Sequence, residues 1–347
     1  MKIRTLQAPE REAFLELLDG WEVPDGWPGR SADFFRRYVE RDPSYSDENV
    51  WVAEEGGRLV SCVQIFPRRI RVGEAAVPTG GIGSVYTRPE ARASGVASAV
   101  LEHAAGAMRA RGMPLSLLFA SRLSFYARLG WESWPGSRTI VRRPSEAPAG
   151  AAGPGLEITA FEAARDLRGV QALHRSYTGR RMGTVVRDSA TWEATLRNGG
   201  NPFEDFLVAR RDGAPVAYAR ATTMSGFLIL TELGRAEGAA SALADLVVAL
   251  LSPREADPLE RPGRPSRELR TLGVAPPLQD AALADALRAR GLSADGHPDP
   301  NAMLRCLDPA ALAEAAGVAL APGEDGQALL RRLLPPERFS FWAADRF

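Results

Sequence analysis

The stretch GGIGSVYTRPEARASGVAS, residues 80–98, decides the fold of this chain. Its apolar part predicts a strand over residues 82–87, followed by a loop that carries Arg88 and Arg92. Its small residues then open an amphipathic helix that is predicted to run from near Gly95 to Arg111. A strand, a basic loop and a helix in this order predict an α/β fold with a ligand site at the start of the helix.

The start of that helix is a predicted anion site. Its first backbone N–H groups have no acceptor within the helix, and the helix dipole adds positive potential there. Gly95 and Ala97 carry little side chain that would keep an anion away, so the site suits a pyrophosphate. A Rossmann fingerprint does not fit, because Gly81-Ile82-Gly83 begins before the strand and no third glycine follows in register. All basic residues except Lys2 are arginine, which excludes a P-loop lysine.

A second motif follows, with LLFAS at residues 117–121 and FYARLGW at residues 125–131. Together the two motifs resemble the GCN5-related N-acetyltransferase superfamily, whose patterns are V-x-T-x-P-E-x-R-x-x-G-x-A and F-Y-x-R-L-G-[FW]. The resemblance covers about residues 1 to 142. It implies a mixed, mostly antiparallel twisted sheet flanked by helices, and acetyl-CoA as co-substrate without a metal.

The resemblance also implies roles for individual residues. The strand backbone at Val85, Tyr86 and Thr87 is expected to bind the pantetheine arm, and Ser121 to contact the cofactor. Tyr126 is expected to give a proton to the departing thiolate. The pyrophosphate is expected on Arg92, Ala93, Ser94, Gly95, Val96, Ala97 and Ser98.

The acceptor is expected beside the loop after the first helix. Glu22 and Asp25 with the aromatic residues Trp27 and Phe35 would suit a cationic amine, and Ser84 lies where the oxyanion of the reaction would form. A second interpretation stays open, in which the tryptophans anchor the loop and the acids are solvated.

The chain contains an internal repeat. Residues 208–213 echo residues 52–57 at an offset of 156, and residues 235–242 echo residues 92–99 at an offset of 143. The first copy therefore has 13 more residues between these landmarks, which is about the length of chain in one extra strand. The linker PSEAPAGAAGPG, residues 144–155, separates the copies.

The predicted division is residues 1–145 for the catalytic fold, 156–300 for a second fold of the same kind, and 301–347 for a C-terminal tail. The tandem arrangement and the terminal DRF resemble acetyltransferases of the enhanced-intracellular-survival type. That resemblance implies that the tail is a reduced sterol-carrier-like region, and that the terminal carboxylate, on Phe347 here, is the general base. Phe341 and Trp342 argue that the tail is docked on protein.

The second copy is expected to have lost the chemistry. Aligning Gly291 with Gly130 puts Leu287 where Tyr126 stands. Glu237 and the nearby Glu232 would repel a pyrophosphate. We therefore expect a structural half that shapes the acceptor cleft.

Composition excludes several classes of function. The 347 residues carry 43 basic and 43 acidic side chains, which argues against nucleic acid as a partner. No apolar run is long enough for a membrane span and the N-terminus lacks a secretion signal, which favours the cytoplasm. Two cysteines, and three histidines without ligand spacing, give no sign of a metal site. The expected function is acetyl transfer to a primary amine of a small aminoglycoside-like or polyamine acceptor. The alternatives are a CoA-binding sensor and an acyltransferase for longer acyl-CoA donors, and a homo-oligomer is left open.

Overall fold

The computed structural model describes residues 1–22, 29–144, 153–198, 204–224, 226–254, 257 and 266–346. In these residues the chain forms two seven-stranded sheets, each mixed and mostly antiparallel, with helices packed against them. The fold class expected from the sequence, tandem copies of one α/β fold, is confirmed. No helix among the described residues has the length and apolar character needed to cross a bilayer.

The first half contains the following helices and strands: β1 (Lys2–Thr5), α1 (Arg11–Leu18), α2 (Ser31–Arg41), β2 (Val50–Glu55), β3 (Arg58–Val72), β4 (Ala75–Thr87), α3 (Val96–Ala110), β5 (Leu115–Phe119), α4 (Leu123–Ala127), β6 (Glu132–Ser133) and β7 (Gly136–Arg142). Neighbouring strands from β1 to β4 are antiparallel, and β5 is parallel to β4. One face of α3 is apolar and packs on β2, β3 and β4, through Val100, Leu101, Ala104 and Met108.

The second half and the tail follow with these elements: β8 (Leu156–Ala160), α5 (Ala163–Thr178), α6 (Ser189–Asn198), β9 (Asp205–Arg211), β10 (Ala214–Met224), β11 (Phe227–Arg235), α7 (Ala240–Leu250), α8 (Ser266–Leu269), β12 (Leu272–Ala275), α9 (Ala281–Arg288), β13 (Ser293–Asp299), β14 (Ala302–Cys306), α10 (Pro309–Ala315) and α11 (Gly326–Leu333). The order of strands repeats that of the first half, with β11 and β12 as the parallel pair.

The two sheets exchange strands. The first sheet has the order β1-β2-β3-β4-β5-β14-β6, so a strand of the tail lies between two strands of the first half. The second has the order β13-β7-β12-β11-β10-β9-β8, so β7 of the first half lies inside the other sheet. Each sheet thus contains a strand from the other side of a boundary predicted at residue 145 or 300. The division into independent folding units stays a prediction.

The extra length of the first copy lies mainly in one hairpin and does not form a separate strand. It extends the β3–β4 hairpin, whose strands have 15 and 13 residues, whereas β10 and β11 have 11 and 9. The end of the long hairpin reaches the second half, where Ile70 forms an antiparallel bridge with Val185. The Arg71 N–H donates to the Thr184 carbonyl at 2.8 Å. Backbone pairing with the other half keeps the extended strands ordered.

The tail joins the two halves. Trp134 donates from Nε1 to the Leu334 carbonyl at 2.8 Å, which holds the end of α11 on the first half. Further on, the Ser340 N–H donates to the Met182 carbonyl, and Trp342 is fully buried near Tyr177 of the second half. The expectation that the tail is docked on protein is confirmed.

Candidate active site

Strands β4 and β5 separate at the centre of the first sheet. Their parallel pairing ends at Ile82 and Leu118, although β4 continues to Thr87. The pairing of β4 with β3 shifts register just beyond this point, and Ser84 has a φ of 48° there. The β4 residues Val85, Tyr86 and Thr87, expected to bind pantetheine, therefore lie on an edge that is not paired to β5. An extended ligand can add to such an edge as an additional strand.

The loop after β4 ends in an open helix start. Gly95 precedes α3 with a φ of 83°, and Ala93 has a φ of 61°. The first helical hydrogen bond runs from the Ala99 N–H to the Gly95 carbonyl, so three preceding N–H groups have no acceptor within the helix. These groups belong to Val96, Ala97 and Ser98.

The side chains around this helix start leave it accessible. Ser94 does not cap the helix, because its hydroxyl donates to the Ala91 carbonyl at 2.7 Å. Arg92 donates from Nε to the Thr87 carbonyl at 3.1 Å, and its guanidinium lies 5.8 Å from the centre of the Tyr86 ring. Arg92 thus stands between the open edge of β4 and the open start of α3.

Tyr126 lies on α4, next to the same opening. Its ring makes edge contacts with Phe125 and Trp131, at centroid distances of 4.9 and 6.4 Å. Burial raises the pKa of the Tyr126 phenol to about 12. At neutral pH the group is therefore protonated and can act as a proton donor. Ser121 is exposed and lies outside the lining of the cavity that Tyr126 faces.

That cavity has a volume of about 850 Å³ and lies between the two halves and the tail. The first half contributes Tyr126, Ser84 and Val85, and an aromatic wall formed by Trp21, Phe34, Phe35 and Tyr38. The second half contributes residues 185–188, and the tail contributes residues 343–346. Its volume is that of an ordinary small-molecule site.

The structure brings only some of the predicted acceptor residues to this cavity. Phe35 and Ser84 line it, and the Ser84 hydroxyl donates to Gln64 Oε1 at 3.0 Å. Glu22 is exposed and outside the lining. Asp25 and Trp27 lie outside the described residues, as does Phe347. Arg346, one residue before it, lines the cavity with its guanidinium 4.5 Å from the centre of the Phe119 ring.

Sequence reasoning missed most of the charged residues of the lining. They are Arg37, Asp42, Arg68, Arg69, Arg187, Asp188, Glu204, Asp345 and Arg346. Most of these acids are paired with arginine: Asp42 with Arg68, Glu204 with Arg220, and Asp345 with Arg187. These partners are distant in sequence, so no local motif could have indicated them.

Asp188 differs from the other acids of the lining. Its carboxylate accepts the Thr191 N–H at 2.7 Å, and this bond lowers the pKa of Asp188. Asp188 is exposed at the rim of the cavity, and among the described residues it has no arginine partner. No three His, Cys, Asp or Glu side chains within the described ranges are grouped as a metal would require.

The second half carries a closed version of the same site. The Leu292 N–H donates to the Leu287 carbonyl, as the Trp131 N–H donates to the Tyr126 carbonyl, so Leu287 does stand in the place of Tyr126. Arg235, which echoes Arg92, is paired with Asp280 at 2.8 Å. The expectation that Glu232 lies by the anion site was wrong, because β11 carries it into the interior, where it is fully buried.

Comparisons with known proteins agree with this geometry. Residues 2–134 match the model of the acetyltransferase (GNAT) domain. No curated protein sequence matches the chain. Three solved structures are similar in fold. A GCN5-related N-acetyltransferase from Kribbella flavida is 21% identical, with 89% of this chain and 72% of that chain covered and a TM-score of 0.63. One from Anabaena variabilis is 17% identical, with 88% and 73% covered and a TM-score of 0.65. Eis1 from Mycobacterium abscessus is 18% identical, with 89% and 74% covered and a TM-score of 0.57.

The separated parallel strands, the open helix start and the half-buried Tyr126 all lie within the residues that match the GNAT acetyltransferase domain. Residues 2–134 thus match the GNAT acetyltransferase domain, and the three solved structures, each below 25% identity, show a shared fold over 88–89% of the chain.

Proposed function

We propose that the protein transfers an acetyl group from acetyl-CoA directly to a primary amine of a small cationic acceptor, aminoglycoside-like or polyamine. One observation carries the proposal: the open edge of β4 lies between the start of α3 and Tyr126, and Val85 of that edge and Tyr126 both line the cavity. A pyrophosphate on the N–H groups of Val96 to Ser98 and a pantetheine arm along Val85 to Thr87 would bring the thioester to Tyr126.

The chemistry requires proton transfers at both the acceptor amine and the leaving thiolate. An alkylammonium cannot attack until it loses a proton, and its pKa is near 10. The terminal carboxylate of Phe347 is the proposed base, since the preceding residue lines the cavity. The free amine then attacks the thioester carbonyl, the attacking nitrogen releases its surplus proton to solvent, the carbon–sulfur bond breaks, and the thiolate takes the phenolic proton of Tyr126. Solvent returns that proton to Tyr126.

The lining of the cavity supports a cationic acceptor. Aromatic faces attract cations, and Trp21 and Phe35 contribute such rings to the wall, whereas the Phe34 ring already has the Arg37 guanidinium 4.0 Å from its centre. Asp188 adds a carboxylate without an arginine partner among the described residues. A protonated amine remote from the reacting one would be stabilised by these groups.

The test is thiol release from acetyl-CoA by the full chain, with spermidine, kanamycin and glucosamine as acceptors. Each fully N-acetylated amine is the matched control, because it lacks a nucleophile. We expect amine-dependent release and, by mass spectrometry, an acetylated amine. Calorimetric binding of acetyl-CoA without release for any amine would refute the proposal in favour of a sensor. Faster turnover of butyryl-CoA or octanoyl-CoA would replace acetyl by a longer acyl group.

A further inference from the structure

The last turn of the chain is fixed by a buried ion pair. Arg187 donates from Nε to Asp345 Oδ1 at 2.7 Å and from Nη2 to Asp345 Oδ2 at 2.9 Å. The side chain of Arg187 is 0% exposed and that of Asp345 is 2% exposed. A two-point contact of this kind fixes orientation as well as distance.

Arg187 is itself held by the core of the second half. Its Nη2 donates to Glu232 at 2.5 Å, and its guanidinium lies 4.6 Å from the centre of the Trp192 ring. Glu232 in turn accepts the Tyr218 hydroxyl at 2.7 Å. Burial lowers the pKa of Arg187, but the adjacent carboxylates of Asp345 and Glu232 outweigh it and raise the pKa, so Arg187 stays charged at any working pH. The turn at residues 343–345 is thus anchored to the buried core of the second half rather than to a flexible surface group.

This pair sits where the tail enters the cavity. Asp345 is two residues before the chain end, and both Asp345 and Arg187 line the cavity that Tyr126 faces. The last residues upstream that fix the tail are Ser340, by its backbone, and the fully buried Trp342. Beyond Trp342, the ion pair between Asp345 and Arg187 holds the tail to the second half.

We propose that Arg187 is a positioning residue for acetyl transfer, which holds residues 343–345 of the tail beside the cavity through Asp345. The inference rests on the proposed function, in which the base is the terminal carboxylate carried by Phe347. It assigns the second half a specific task, because Arg187 belongs to the half that has lost its own catalytic tyrosine. The residue does not touch the acceptor in this role; it acts through the position of the tail.

The test compares four proteins with acetyl-CoA and kanamycin: the wild type, R187M, a variant with one glycine added after Phe347, and the combination. The added glycine moves the terminal carboxylate by one residue without changing Arg187. We expect each single change to lower kcat at least tenfold with a change in acetyl-CoA KM below threefold. We expect the double variant to be no worse than the glycine extension alone, because both changes displace the same carboxylate.

A matched control separates this role from simple destabilisation. Arg235 forms a two-point pair with Asp280, also in the second half but outside the cavity lining. R235M should lower the melting temperature about as much as R187M while kcat stays within twofold of the wild type. Should R187M fail to fold, D345N takes its place, since asparagine keeps the shape and one acceptor oxygen of the aspartate.

The outcomes distinguish the two proposals. A wild type without amine-dependent release, or a glycine extension with unchanged kcat, refutes the base assignment and the inference with it. The inference alone is refuted if the glycine extension lowers kcat but R187M, or D345N in its place, leaves kcat unchanged. Independent, multiplicative losses in the double variant would also refute it. A shift of the acidic limb of the kcat profile in R187M, absent in R235M, supports it.

Discussion

Replacing Tyr126 by phenylalanine tests the chemistry most directly. The change removes one oxygen and leaves the ring contacts with Phe125 and Trp131 in place. Among the described residues no group forms a hydrogen bond with the Tyr126 hydroxyl, so its loss orphans no partner. We therefore expect the free energy of unfolding to change by less than about 1 kcal/mol.

The expected effect on catalysis is much larger. With its pKa raised to about 12, the phenol is almost entirely protonated between pH 6 and 9 and can supply a proton in every turnover. Positioned general acids contribute about 10²–10⁴-fold, so kcat should fall at least about 100-fold, or ~2.7 kcal/mol in activation free energy. The KM for acetyl-CoA should change little, because the hydroxyl acts on the leaving thiolate.

The assay is steady-state thiol release across pH, with Tyr45→Phe as the matched control. The Tyr45 hydroxyl donates to Asp47 at 2.8 Å and Tyr45 is outside the cavity lining, so Y45F should retain wild-type kcat. The protonated phenol is the active form, and activity due to it is lost only as pH rises through about 12. A Y126F variant within threefold of wild-type kcat would refute the assignment. A fall of wild-type kcat near pH 9 that is absent in Y126F would also refute the assignment.

Three further predictions concern other parts of the molecule. Ala97→Glu should raise the acetyl-CoA KM at least about tenfold through repulsion of the pyrophosphate, whereas Ala110→Glu at the other end of α3 should leave this KM unchanged. Asp42→Asn should lower the free energy of unfolding by ~3 kcal/mol at pH 7, because it leaves Arg68 unpaired. Since pairing with Arg68 lowers the pKa of Asp42, its stabilisation is fully present above about pH 4 and is lost as pH falls through the lowered pKa of the folded state, so the difference in unfolding free energy between wild type and D42N should shrink steadily as pH is lowered below 4. Leu287→Tyr should lower stability by about 1–3 kcal/mol by overpacking and leave one acetyl-CoA bound per chain by calorimetry.

Local patterns were sufficient for the elements near the proposed pyrophosphate site. The glycine at position 95, the small residues after it and the apolar face of α3 each act within one helix, and the structure has that helix open at its start. The internal repeat was equally readable, because Gly57 and Gly213 close equivalent turns with φ of 77° and 76°. The predicted roles of these residues toward a ligand stay predictions.

Sequence patterns predicted the acceptor side of the site less well. A carboxylate next to aromatic residues in sequence predicted a cation site at Glu22, which the structure leaves exposed outside the cavity. The acids that do line the cavity, such as Asp42 and Glu204, are paired with arginines from other elements. Whether a carboxylate is available to a ligand depends on its counter-ion, and a sequence pattern does not specify that partner.

The sequence by itself determined the two copies of the fold, the open start of α3 and the tyrosine of α4, because each follows from contacts between residues close along the chain. Only the tertiary structure decided that β7 and β14 change places between the sheets. The alternation of apolar and polar residues along a strand fixes which face is buried but not which strand lies beside it. It also decided the pairing of Arg187 with Asp345, which are 158 residues apart. The folded protein can form such a buried pair because the surrounding core removes both charges from water together, and a linear sequence carries no record of that arrangement.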